Sequence, residues 1–231
     1  MRYLGFITAR AGSKGIPHKN MRLLNGKPLI QYTYEAALAA QSLAETHLSS
    51  DYHEAMVLGE EMGIGVLYKR PEALASDHAT SIEVMLYHFD FMEAQGMALP
   101  DAVVLLQPTS PIRSEGLIDR CIKAFEQSGK ESLVAVSACI QHPYSTFTIQ
   151  DGKNKFINPT PTRRQDYPPY YFITGSVYIA TPAFLRQHRV FFNEDTALYE
   201  TSEYEAIDID TPFDLALASF ILASESNFTH K

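Results

Sequence analysis

The sequence predicts an α/β protein with a mostly parallel sheet and helices on both faces. Three observations carry this. Strand-like apolar runs alternate with helix-like stretches along most of the chain. One run, Asp101–Gln107 (DAVVLLQ), is almost wholly apolar, as in a strand buried on both faces. The chemically loaded segments directly follow strands, where ligands sit in open parallel sheets. At 231 residues and 45% hydrophobic content, the chain suits one domain, 1–231, with a core that needs no staples.

The elements follow in order. Arg2–Thr8 reads as a short buried strand, and a Gly- and Lys-containing loop, Ala9–Asn20, follows it. A helix starts after Pro28, which suits a first turn, and runs through LIQYTYEAALAAQ. Thr46–Ser50 is a second strand and His53–Met62 a helix that Gly63 stops. Gly65–Tyr68 reads as a third, short strand. Asp77–Ser81 reads as a cap region before a helix at Ile82–Glu93. Pro108 and Pro111 end the DAVVLLQ strand. Leu117–Phe125 is a helix, Ser132–Ser137 a strand, and Gly175–Ala180 another. Ala206–Asp210 is a last strand and Pro212–Ser224 a closing helix.

The rhythm breaks between about Ala138 and Tyr171. Prolines cluster there at 159, 161, 168 and 169, and Asp151-Gly152 between TFTI and KFIN is a hairpin signal. This stretch reads as an insertion outside the main sheet.

The net charge of −8 disfavours nucleic acid and anionic membranes as partners. It makes the placement of the few cations the informative question. Cys121 and Cys139 lack metal-like or redox spacing and read as buried thiols in a reducing compartment. The N-terminus lacks a signal-peptide apolar region, and no apolar run reaches the ~20 residues of a membrane span. A cytoplasmic protein is expected.

Three segments carry chemistry. Ala9–Asn20 (ARAGSKGIPHKN) combines Gly12 and Gly15 with Ser13 and the cations Arg10, Lys14 and Lys19. Such a loop can offer backbone N–H groups and positive charge to phosphates, although it matches neither a Walker A loop nor a dinucleotide fingerprint. The blander alternative is a basic surface loop. Gln107 ends the apolar strand pointing into the prospective cleft, and Arg113 follows; a Pro-shaped turn without a ligand is the alternative. In Ala206-Ile207-Asp208-Ile209-Asp210, alternation places both carboxylates on one face. Mg²⁺ would relieve their repulsion, whereas a helix cap would account for Asp210 alone.

Together these segments resemble the CMP-N-acylneuraminate synthetases, or acylneuraminate cytidylyltransferases. ARAGSKGIPHKN, RPEALASDHATS, LLQPTSPIR, VSAC, RRQDYP, GSVYI, VFF and AIDIDTPFDL follow in the family's order over about residues 3 to 222. The resemblance implies a Rossmann-like nucleotidyltransferase sheet with a small dimerisation arm at 138–175, and a homodimer. It implies that CMP passes from CTP to the anomeric hydroxyl of an acidic nine-carbon sugar. Ala9, Arg10, Ser13, Lys19 and Asn20 would line the CTP site, with Arg70, Ala79 and Ser81 holding cytosine and ribose. Gln107 would contact the sugar, Asp208 and Asp210 would hold Mg²⁺, and Arg10 and Lys19 would stand near the phosphates. Tyr178, Phe191 and Phe192 resemble an aromatic wall for the sugar's acyl group. Arg164 matches an arginine that family dimers lend to the neighbouring site.

The chain departs from sialate-using relatives at two places. His142-Pro143-Tyr144-Ser145-Thr146 has Ser145 where they commonly carry lysine. Phe172-Ile173-Thr174-Gly175 replaces an Arg-Pro-Asn-Gly run. With Ser145 and Thr174 on the sugar side, these changes make less hydroxylated, 5,7-diacylated sugars of the legionaminate or pseudaminate type candidates beside N-acetylneuraminate itself. Two rival readings stand beside this one. One is another nucleotidyltransferase of the fold, of Kdo or sugar-1-phosphate type. The other is a non-catalytic nucleotide-binding protein.

Overall fold

The structure is a computed structural model that describes residues 1–13, 15–157 and 163–224. Lys14, Pro159 and Pro161 lie outside the described residues. In chain order the regular elements begin with β1 (Tyr3–Ala9), the short pair β2 (Leu23–Leu24) and β3 (Lys27–Pro28), α1 (Leu29–Ala39), β4 (Leu43–Ser50) and α2 (His53–Met62). Next come α3 (Ser81–Ala94), β5 (Ala102–Leu106), α4 (Leu117–Ser128) and β6 (Ser132–Ala138). The chain continues through β7 (Phe147–Gln150), β8 (Lys153–Phe156), β9 (Tyr171–Ala180), α5 (Pro182–His188), β10 (Ala197–Glu200) and α6 (Pro212–Ala223).

Six strands form the main sheet in the order β10-β6-β9-β5-β1-β4. β1 pairs in parallel with β4 and β5, and β10 with β6; β9 runs antiparallel between β5 and β6. The expected α/β class and mostly parallel sheet are therefore present. Period-two alternation divides the core. Ile7, Ala9, Val104 and Leu106 face a layer shared with α1, α2 and α4, whereas Phe6, Val103 and Leu105 face α3 and α5. That parity matters for the site, because it puts Thr8, near the end of β1, and Gln107, just past β5, on the α3 side. A third cluster joins Ile16, Ile112 and Ile209 to Ala218 and Ile221 of α6.

Two expected strands are absent. Gly65–Tyr68 makes only isolated parallel bridges, His47 to Gly65 and Ser50 to Lys69, at the β4 edge. Too short a run meets β4 there for a ladder to form. Ala206–Asp210 has no strand partner either. It passes over the end of the sheet as a strap, and Ile209 N donates to the Thr109 carbonyl at 2.8 Å. The sequence reading left residues 181–205 unassigned, and α5 and the edge strand β10 lie there. Cys121 is buried and its thiol is pushed up to about 12 by burial, but Cys139 is only half-buried, against expectation.

The expected hairpin is β7–β8, turning at Asp151 (φ 51°) and Gly152 (φ 69°). Both strands are exposed on all sides, and Ile149 is 68% exposed. At its base, His142, Tyr144, Tyr167 and Tyr170 pack ring against ring, with centroids 4.5–5.5 Å apart.

Candidate active site

A cleft of about 330 Å³ opens at the carboxyl ends of β1 and β5. The connections from these neighbours leave in different directions, one to β4 and one across to β6, so this is a switch point of the sheet. The cleft is lined by Arg10, Ser13, Lys19, Asn20, Arg70, Ala79, Ser81, Gln107, Asp208 and Asp210, all anticipated from sequence. Residues up to 200 positions apart in the chain thus share one concavity, and three of the molecule's few cations converge there.

The loop after β1 is held from several sides. Asn20 is buried and donates from Nδ2 to the Arg10 carbonyl at 3.0 Å. Ala11 N donates to Asp51 Oδ1 at 2.9 Å. Lys19 Nζ donates to Asp210 Oδ1 and to the Ile209 carbonyl, each at 2.8 Å, and so ties the loop to the strap. Buried Ile16 and Ile209 anchor the two segments beneath that contact. Gly15 has a packing reason the sequence did not disclose: a Cβ there would stand 2.2 Å from the Asp210 carbonyl oxygen.

The alternation in the strap holds without a sheet partner. Ile209 is buried, while Asp208 and Asp210 face the cleft. Neither carboxylate is used as a helix cap. Thr211 caps α6, and Asp214 completes the capping box and accepts from Asp210 N at 3.1 Å. Asp208 opens to cleft solvent yet is ringed by protein. Its carboxyl is raised above the usual range by desolvation, then by Asp210's charge, against a hydrogen bond from Thr109 and the charge of Lys19. A carboxylate pair with insufficient positive charge suits a divalent cation. No cluster of three or more His, Cys, Asp or Glu side chains able to hold a metal occurs among the described residues. Two carboxylates do fit Mg²⁺, which typically takes one or two and fills its remaining positions with phosphate oxygens and water.

Arg10 pairs across the cleft mouth with Asp77, Nη1 to Oδ1 at 2.5 Å. Thr80 begins α3 with a capping box to Glu83, which brings Ala79 and Ser81 to the cleft wall. Arg70 is buried, and burial lowers its guanidinium to about 10, with Asp51 opposing that shift.

The sugar-side expectations divide. Gln107 lines the cleft, and its amide lies over Gly175, where a Cβ would meet Oε1 at 2.6 Å. Arg113 secures the same turn, donating to the carbonyls of Gln107 at 2.8 Å and Ser176 at 3.0 Å. Thr174 is not brought to the cleft. It is buried within β9, its Oγ1 2.8 Å from Ser176 Oγ and 3.3 Å from the Ala135 carbonyl. The alternation of β9 breaks beside it, where Gly175 takes φ 76° and the pairing with β6 shifts register, and the Thr174 hydroxyl is taken up by β6 and Ser176. Ala9 likewise packs into the core and does not line the cleft. Tyr178 and Phe191 stack 5.7 Å apart behind the cleft, and Tyr178 is raised to about 12 by burial and by Asp208's charge. Phe192 is exposed beside them. Arg164 stands apart on the arm and reaches the Ile140 carbonyl at 3.4 Å. Ser145 also belongs to the arm, within a 3₁₀ turn.

Sequence reasoning missed Thr8, Val84 and Thr109 as lining residues. Thr8 was recoverable, since it shares Phe6's side of the strand.

Comparison with known proteins followed the same lines. A family model described as Cytidylyltransferase matches residues 4–212. A CMP-N,N'-diacetyllegionaminic acid synthase of Legionella pneumophila is 36% identical, over 96% of this chain and 97% of that one. An N-acylneuraminate cytidylyltransferase of Streptococcus agalactiae is 32% identical over 91% of this chain, which spans 51% of that longer protein. A solved CMP:2-keto-3-deoxy-manno-octonic acid synthetase in complex with CTP superposes with a TM-score of 0.71. It covers 97% of this chain and all of that one at 17% identity, a likeness of fold.

Proposed function

The chain belongs to the cytidylyltransferase family, and from that premise we propose that it joins CTP to an acidic nine-carbon sugar of the 5,7-diacylated, legionaminate type. The observation that carries the reading is the meeting of Lys19 and Arg10 with Asp208 and Asp210 in one cleft. The choice of sugar is supported by 36% identity over nearly the whole of both chains.

The sugar's anomeric hydroxyl oxygen attacks the α-phosphorus of CTP in line. The bond from that phosphorus to the β-phosphate oxygen breaks, the hydroxyl's proton passes to water in the cleft, and pyrophosphate leaves. Such a reaction depends chiefly on positioning and charge neutralisation. Lys19, fixed by Asp210 and the Ile209 carbonyl, directs its ammonium into the cleft. Arg10 can exchange Asp77 for phosphate at the mouth. Ala79, Ser81 and Arg70 form the wall for base and ribose, and Gln107 faces the sugar. Asp208 and Asp210 would hold Mg²⁺, which when bound neutralises phosphate charge.

The reading extends to a cytoplasmic homodimer. An exposed two-stranded hairpin is marginal by itself. Apolar Phe147, Ile149, Phe156 and Ile157 on this arm suit burial against a second copy, which would bring Arg164 to the neighbouring sugar site. No helix among the described residues is long and apolar enough to cross a membrane.

Pyrophosphate release with Mg²⁺, tested across CTP, UTP and GTP and a panel of nonulosonic acids, examines the proposal. Fastest turnover is expected with CTP and N,N'-diacetyllegionaminate. A preference for UTP or GTP, or no release with any acidic sugar, overturns it.

A further inference from the structure

Arg70's hydrogen bonds in the cleft wall go to Ser49, with Nε donating to Ser49 Oγ at 3.2 Å and Nη2 to the Ser49 carbonyl. Beside Ser49 stands Tyr68, whose hydroxyl is pushed up by burial against the opposing pull of Ser49 and of the Arg70 charge. Tyr68 Oη lies 3.1 Å from His88 Nδ1, and His88 Nε2 lies 3.1 Å from His47 Nδ1. His47 Nε2 lies 3.1 Å from Glu45 Oε2. The file begins at the cleft and ends at an exposed carboxylate, on the order of 16 Å back along β4 from Ser50.

One arrangement of protons satisfies every link. A guanidinium can only donate and an ionised carboxylate can only accept. Each intermediate group therefore accepts on its Arg70 side and donates on its Glu45 side. Both histidines are then neutral with the proton on Nε2. Burial favours that state, lowering His47 and taking His88 to about 3. Hydrogen bonds aligned in one direction between a cation and an anion polarise one another.

The geometry points to Tyr68, His88 and His47 as positioning residues that aim Arg70 at the nucleotide, through a one-way file of hydrogen bonds anchored at Glu45. The inference rests on the reading of Arg70 as part of the nucleotide wall. His88 also rides on α3, whose first residue, Ser81, lines the same wall, so the file couples β4 to α3. Ordinary aromatic packing does not require the file. Tyr68 stacks on Tyr87, Phe91 and His88 through its ring, and a phenylalanine would keep those contacts.

The test uses Tyr68→Phe, Glu45→Ala and Arg70→Lys in the full chain, with KM for CTP, KM for the sugar, kcat and Tm measured for each. Arg70→Lys is expected to raise the KM for CTP at least about 10-fold, the scale for a charge-assisted contact. Tyr68→Phe is expected to raise it roughly 5-fold and Glu45→Ala about 2-fold, as for single hydrogen bonds at decreasing leverage. The sugar KM and kcat should stay unchanged. An unchanged KM for CTP in either Tyr68→Phe or Glu45→Ala, with Arg70→Lys impaired, overturns the file. So does a loss shared equally by CTP and sugar. If Arg70→Lys leaves the KM for CTP unchanged, the nucleotide wall itself is misplaced and the inference goes with it. Glu45 is exposed, so its variant reports even if Tyr68→Phe folds poorly.

Discussion

The cleft and the arm are built in opposite ways. In the cleft, Lys19 and Asp210 are brought together from 191 positions apart, and buried Ile16 and Ile209 fix the segments beneath them. The cleft is therefore braced by contacts within the chain itself. The arm has no comparable foundation: both strands of its hairpin are fully exposed, and its internal packing is four rings at the base and the Phe147–Phe156 pair across the hairpin. The contrast separates a cleft braced within one chain from an arm that, in the dimer proposed above, would be covered by a second copy.

The largest effect tests the cleft. Asp210→Asn is expected to lower kcat at least ~100-fold, the scale of losing a key electrostatic group, and Mg²⁺ titration should not restore it. Near-normal turnover over a range of Mg²⁺ would remove the metal assignment. Arg164→Ala tests the arm. Its KM for the sugar should rise roughly 10-fold, as for a lost charge-assisted bond, while the KM for CTP holds. Equal changes in both would merge the two regions functionally. Ile149→Glu should shift sedimentation towards monomer while leaving the unfolding free energy within about 0.5 kcal/mol, as for an exposed site.

Asp208 gives a pH-dependent test. Its carboxyl is raised by desolvation and by Asp210, so the native state holds the proton more tightly than the unfolded chain does. The stabilisation this provides is fully present below the unfolded pKa and lost as pH rises through the folded one. Asp208→Asn should therefore raise Tm slightly at neutral pH while impairing turnover. In the intact protein, Mg²⁺ affinity should begin to fail on acidification above the ordinary carboxylate range. A Tm lowered by Asp208→Asn would contradict this. The smallest effect is expected at Thr174→Val: a stability loss of about 1 kcal/mol, the net value of a buried hydrogen bond, with sugar preference unchanged. A switch in sugar preference would return Thr174 to the sugar side.

What was legible in the sequence follows from how each residue is held. The loop from Arg10 to Asn20 and the pair Asp208 and Asp210 carry chemistry in residue type and spacing, and alternation placed both carboxylates correctly even though their segment is a strap. The strap itself was not legible, because the same alternation describes a strand and a segment pinned by one bond to Thr109. Gly15 reads as a phosphate-loop glycine, but its close approach to Asp210 is a tertiary fact. The burial of Thr174 was not legible, because β9 begins at Tyr171, ahead of the strand expected from Gly175, and its hydroxyl is taken up inside the sheet. β10 escaped notice as a four-residue edge strand of alternating exposure.

The antiparallel strand has a consequence for how the chain reaches this state. β5 and β6 are complete by residue 138, yet they never touch as neighbours, because the place between them belongs to β9. Until residues 171–180 emerge, the sheet exists as two fragments with open edges, and the arm must be made before the strand that closes the gap. Long-range pairing of this kind is slow and leaves unpaired edges open to other chains meanwhile. A ribosome-bound chain halted before Tyr171 should therefore carry the whole phosphate loop and lack a closed sheet to mount it on. The insertion of β9 joins the two halves of the sheet, and β10 then adds to the β6 edge.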